Sequence, residues 1–208
     1  MSSVLEALAT VLLPSLCAAC GRGCAGESIL CLRCARRLED LSPLRGAGPA
    51  GIDRAWSAAP HEGVARDLVA ALKFRALLPV AGLMAERILR DAPAHLLSGE
   101  VVPVPTARGR GIRRGFDPAG EVAAALAEGA GLPLRPCLAR RGRGRQVGRR
   151  RAERLGRPPR IEAADPVPRG AVLVDDVLTT GATLSAAAWG LREAGALRVV
   201  AVTFARRL

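Results

Sequence analysis

The stretch VLVDDVLTTGATL, residues 172–184, ends an apolar run in two adjacent carboxylates, Asp175 and Asp176, and follows them with Thr179, Thr180, Gly181, Ala182 and Thr183. A carboxylate taken out of water without a partner is costly, so two of them closing a buried strand need something to hold. In an open parallel sheet, ligands bind beyond the carboxyl ends of the strands, where loops enter the next helices. A loop offering backbone N–H groups, hydroxyls and a glycine at a helix N-terminus suits one phosphate. No Lys follows the glycine, so this is not a Walker A loop. Carboxylates a sugar's length away suit the hydroxyls of a vicinal diol, and the ligand implied is a ribose 5-phosphate moiety. Reading Asp176 as a helix cap and the threonines as turn formers leaves two carboxylates at the end of an apolar strand unexplained.

A second constellation lies near the start. Cys17 and Cys20 form one CxxC pair and Cys31 and Cys34 another, ten residues apart, with Cys24 between them and Cys137 far downstream. Each CxxC turn points two thiolates at one ion, and two such turns supply the four-sulfur set of structural zinc. A thioredoxin-like redox pair is the rival reading, but it does not need a second CxxC. The metal is therefore assigned to Cys17, Cys20, Cys31 and Cys34, with Cys24 left as a spare and Cys137 read as a small buried residue. With every coordination position filled by protein, the expected Zn2+ is structural, holding a segment too small to have its own core.

The formal charge of the 208-residue chain is +12, and most of it is local. Between Thr106 and Arg160 there are fifteen Arg against four carboxylates. Such a concentration suits an anionic partner, a polyphosphate or a nucleic-acid backbone. A solvated Arg-rich surface is the plainer alternative, because thirty of the thirty-one basic residues are Arg and Lys73 is the only Lys. With two Trp, three Phe and no Tyr, a nucleic-acid site would rest on charge rather than on base stacking.

These residues need a scaffold to position them. Half the residues are apolar, enough for a substantial core. No run approaches the ~20 continuous apolar residues that span a bilayer. The opening MSSVLEALATVLLP has the look of a secretory apolar region, but it lacks a basic start and carries Glu6. It is read as an amphipathic helix, Ser3 to Leu13, and the protein as cytoplasmic. Pro and Gly from Pro43 to Gly51 mark a linker, dividing residues 1–50 from a main domain at 51–208. In that domain RAWSAAP reads as a strand, HEGVARDLVAALKFR and Pro79 to Leu89 as helices, and EVVPVP as a strand cut off by prolines. A Gly- and Arg-rich loop follows, then the helix GEVAAALAEGAG, then a basic loop over residues 140–160 without apolar periodicity. GAVLVDD, LSAAAWGLREAG and RVVAVTFA read as strand, helix and strand in a parallel crossover. The fold class is α/β.

AVLVDDVLTTGATL resembles the phosphoribosyl pyrophosphate (PRPP) motif of type I phosphoribosyltransferases. With VVPVP, RRGFDPAGEVAAALA, a basic RQ segment, DLVAALKFR and VVAVTFARR behind four cysteines, nearly the whole chain resembles the ComF family of competence-associated proteins. The resemblance implies a type I phosphoribosyltransferase fold, a parallel sheet flanked by helices, behind a small N-terminal zinc finger. It implies that Asp175 and Asp176 bind the ribose hydroxyls and that Thr179, Thr180, Gly181, Ala182 and Thr183 seat the 5-phosphate. Val104 and Pro105 would begin the loop facing pyrophosphate, with Arg108 and Arg114 nearby. The segment Arg140 to Arg154, with Arg145 and Gln146, would close over PRPP. Mg2+ would come with PRPP, bound through its oxygens and water. Single-stranded DNA or the DNA-uptake machinery are the further partners implied, and an adaptor that binds PRPP without transferring it is the alternative to an enzyme. The family's Asn-Gln after Gly-Phe is Asp117-Pro118 here, and its Asn after Glu153-Arg154 is Arg157. No residue stands out as a general base, and the acceptor is not legible.

Overall fold

The structure, a computed structural model, describes residues 15–26, 28–106, 115–141, 159–164 and 166–208. The helix expected at Ser3 to Leu13 lies outside them. The cysteine-bearing segment leads into α1 (Leu32–Glu39), followed by β1 (Leu44–Gly46), β2 (Arg54–Pro60), α2 (Gly63–Arg75), α3 (Pro79–Asp91) and β3 (Glu100–Pro103). The chain continues through α4 (Pro118–Ala130), β4 (Leu138–Arg140), β5 (Ile161–Ala163), β6 (Gly170–Leu178), α5 (Ala182–Glu193) and β7 (Arg198–Arg206). This is a mixed α/β fold.

Five strands form one sheet in the order β1-β2-β7-β6-β3, parallel throughout except for β1, which pairs antiparallel with β2. The long central strands β6 and β7 are apolar on both faces, as strands covered by helices on both sides must be. On one face α2, α3 and α4 bury Leu68, Leu72, Met84, Ile88, Val122 and Leu126 against Val172, Val174, Val200 and Val202. On the other, α5 buries Leu184, Ala187, Ala188 and Leu191 against Leu173, Val199 and Ala201. The antiparallel β4–β5 pair packs on that same side through Ile161, with Cys137 just before β4.

Two stretches differ from the sequence expectation. Part of the proposed linker, Leu44–Gly46, is an edge strand, with Leu44 opposite Ser57 and Gly46 opposite Ala55. Its pairing is made by β2 from outside the segment, so Pro and Gly content did not reveal it. The expected basic loop 140–160 has an ordered stem: Arg140 pairs with Ile161 and Leu138 with Ala163. Residues 142–158 lie outside the described part.

The cysteine-bearing segment shares the core of the sheet's α2–α4 face: Cys17, Ala18, Leu30, Cys34 and Leu38 belong to the same apolar cluster as Leu68 and Met84. Polar ties fix it there. The buried Arg87 of α3 donates to the carbonyls of Leu38 at 3.0 Å and Leu41 at 2.7 Å, and Arg75 of α2 donates to the carbonyl of Ala18. Asp91, one helical turn from Arg87, balances its charge at 2.5 Å.

Candidate functional site

The adjacent strands β3 and β6 send their following helices to opposite faces of the sheet, α4 to one and α5 to the other. Chains that part this way leave a crevice beyond the carboxyl ends of the strands. A cavity of about 310 Å³ occupies it, lined by Asp175, Asp176, Thr179, Thr183, Val104 and Pro105 among the residues expected to bind ligand. Arg140, at the end of β4, lines it too.

The two carboxylates differ in surroundings because strand alternation sends them to opposite faces. Asp176 is 3% exposed and meets Lys73 of α2, with Nζ 2.8 Å from Oδ2. That oxygen has no directed hydrogen bond among the described residues, only the ionic contact. Asp175 is half-buried, and its Oδ1 accepts from the N–H of Asp176 at 2.9 Å. Burial, then the charge of Asp176, push the Asp175 carboxyl well above the usual carboxylate range, against the pull of Lys73.

The loop after β6 enters α5 at Gly181, whose φ of 76° is left-handed. Thr179 and Thr183 face the cavity, whereas Thr180 and Ala182 are exposed outside it. The space a Cβ on Gly181 would fill is taken by Pro49. Opposite, β3 continues into Val104, whose N–H bonds the carbonyl of Val174 at 2.9 Å. Thr106 then donates to the Asp117 carboxylate at 2.5 Å. Asp117 is also the N-cap of α4, accepting from the N–H of Ala119 at 3.2 Å, with Pro118 in the first turn. The Asp-Pro pair that departs from the resembled pattern therefore starts the helix and ties it to the loop. Compared with protein-family models and with curated proteins, the chain gives no match.

Lys73, Phe74, Thr106, Pro118 and Ala119 line the cavity without having been singled out from sequence. For Lys73 a signal existed: it is the only Lys among thirty-one basic residues. Arg108, Arg114, Arg145, Gln146 and Arg154 lie outside the described residues.

The second site lies apart from this crevice. The Sγ atoms of Cys17, Cys20, Cys31 and Cys34 all lie within 4.8 Å of one another, and Cys20 and Cys31 are 3.7 Å apart. A tetrahedral zinc with Zn–S near 2.3 Å needs sulfurs about 3.8 Å apart, so the set fits a metal such as zinc. The first pair is shaped by a tight turn in which Gly21, at φ 72°, donates to the carbonyl of Cys17. The second opens α1, with Cys31 at its N-cap. Burial opposes ionisation of Cys17, but hydrogen bonds from the backbone at Cys20, Cys31 and Ala19 hold its thiol down at about 6. Cys24 is buried beside the cluster but outside it, and burial followed by the neighbouring Cys17 charge raises its thiol.

Proposed function

We propose that the crevice binds PRPP and that the protein is a phosphoribosyltransferase-like member of the ComF family, linked to DNA uptake. The observation that carries this reading is the cavity shared by Asp175, Asp176, Thr179 and Thr183 at the carboxyl ends of β3 and β6. In this reading the two carboxylates take the ribose 2- and 3-hydroxyls. Thr179, Thr183 and the first N–H groups of α5 take the 5-phosphate, and Val104 to Thr106 face the pyrophosphate.

Transfer would break the bond from C1 to pyrophosphate, which leaves with the electron pair, and form a bond from C1 to the acceptor. Residues that hold the sugar while C1 becomes cation-like lower that barrier, as do cations that receive the leaving charge. Arg140, which lines the cavity, would take the second task in this reading. Mg2+, bound to PRPP oxygens, would add charge neutralisation there. Binding does not by itself imply turnover, and an adaptor that holds PRPP remains the alternative use of the same site.

Calorimetry with PRPP and Mg2+ tests binding on the wild type and on an Asp175→Ala, Asp176→Ala double variant. Heat of binding in the wild type alone supports the reading, and equal heats in both reject the site. Pyrophosphate release, screened across purine, pyrimidine and amine acceptors, separates transferase from adaptor.

A further inference from the structure

We infer that Lys73 is a positioning residue of the crevice, the cation that makes a paired-carboxylate diol site compatible with a phosphate beside it; this rests on the sugar-phosphate reading above. Two adjacent carboxylates at the mouth of a phosphate cradle would repel the phosphate they are meant to accompany. The same cavity holds Lys73, ion-paired to Asp176, as well as Arg140 at its wall. Lys73 sits on α2 between the buried Leu72 and the exposed Phe74, and its own side chain is 26% exposed, so the helix fixes where the stem leaves and burial guides the ammonium inward.

The contact is ionic rather than directional. Nζ stands 2.8 Å from Asp176 Oδ2, yet that buried oxygen has no hydrogen bond of good geometry among the described residues. A buried acceptor left in that state has capacity for a ligand hydroxyl, and leaving it unfilled is costly. Lys73 holds Asp176 in place without occupying it fully. An Arg would behave differently, since its planar fork engages both carboxylate oxygens at once. In a chain whose other basic residues are all Arg, a point charge is found at the one position where the carboxylate must keep an oxygen available.

If Lys73 aims the diol acceptors, its loss must erase recognition of the ribose hydroxyls while sparing recognition of the phosphate. Ribose 5-phosphate and 2-deoxyribose 5-phosphate are the probes, titrated calorimetrically into wild type, Lys73→Met and Asp176→Asn, with thermal melts on the same samples. The wild type is expected to prefer the ribose form about tenfold or more, the range of a hydrogen bond to a charged group. In both variants the preference collapses, with affinity for the deoxy form little changed. A folded Lys73→Met that keeps the wild-type preference overturns the inference and leaves the sugar-phosphate reading standing. Should Lys73→Met lack a cooperative melt, Asp176→Asn decides in its place, and its keeping the preference overturns the inference equally. A wild type that binds neither sugar phosphate removes the sugar-phosphate reading, and the role of Lys73 with it.

Discussion

Gly181 and Pro49 meet where the phosphate-binding candidate loop crosses the connection between β1 and β2: a Cβ on Gly181 would lie 2.5 Å from Pro49 Cγ and 2.9 Å from its Cβ. The glycine thus serves the approach of another part of the chain, and its φ of 76° is one that L side chains rarely adopt. Gly181→Ala incurs both the left-handed strain and the overpacking, about 2–4 kcal/mol together. Urea denaturation should register that loss, and unchanged stability would mean that Pro49 yields freely.

The raised Asp175 carboxyl predicts a pH dependence of opposite sign to that of an ordinary paired acid. The folded protein binds this proton more tightly than the unfolded chain does. Above the usual carboxyl range, and up to the raised value, stability contributed by this group therefore falls as pH rises. Asp175→Asn removes the ionisation, so the variant should resist urea better than the wild type at about pH 8, with the gap closing toward about pH 4. Sugar-phosphate affinity should meanwhile drop about tenfold or more, for loss of a charged acceptor.

Arg87 links two parts of the structure: its own helix, where it pairs with Asp91, and the carbonyls of Leu38 and Leu41. At 6% exposure the guanidinium has little water to fall back on, and burial lowers it from its ordinary value despite Asp91. Arg87→Ala leaves Asp91 with Arg90 as its ionic partner and removes the guanidinium that donates to the Leu38 and Leu41 carbonyls. The expected cost is about 3 kcal/mol for two hydrogen bonds from a charged donor, read from urea midpoints. Proteolysis should fall first on residues 15–41, which that side chain holds to α3.

The cysteine geometry predicts about one equivalent of zinc per chain by elemental analysis. Cys20→Ser and Cys31→Ser should lose it, because each removes one of four converging sulfurs. Cys24→Ser should retain it. Loss of metal on replacing Cys24 would mean that the fifth thiol takes part in the site.

The proposed link to DNA rests on the Arg concentration between residues 106 and 160, in which Arg140, at the end of β4, lines the cavity. If about five phosphates are neutralised, log affinity for single strands falls with log salt at a slope near about −3.5. A flat response, measured by fluorescence anisotropy, counts against that partner.

Much of the fold was legible because it rests on local pattern. The continuous apolar run ending at Val174 reads as a doubly covered strand, and the periodic residues Val64, Leu68, Val69 and Leu72 as one face of a helix. The short strands were not legible: Leu44–Gly46, Leu138–Arg140 and Ile161–Ala163 have three residues each, too few to show a period. Their pairing comes from partners elsewhere in the chain.

The sequence by itself determined which residues are the candidates for chemistry, because the carboxylate pair, the threonine loop and the two CxxC turns are contiguous motifs legible from their spacing. Only the tertiary structure decided how the surroundings of those residues differ. Asp175 and Asp176 are neighbours of identical type in the sequence, and strand alternation turns one toward α2 and the other away. Lys73, more than one hundred residues upstream, then neutralises Asp176 at 2.8 Å. That distance is set by how α2 packs on the sheet through Leu68 and Leu72, a relation that no spacing along the chain encodes.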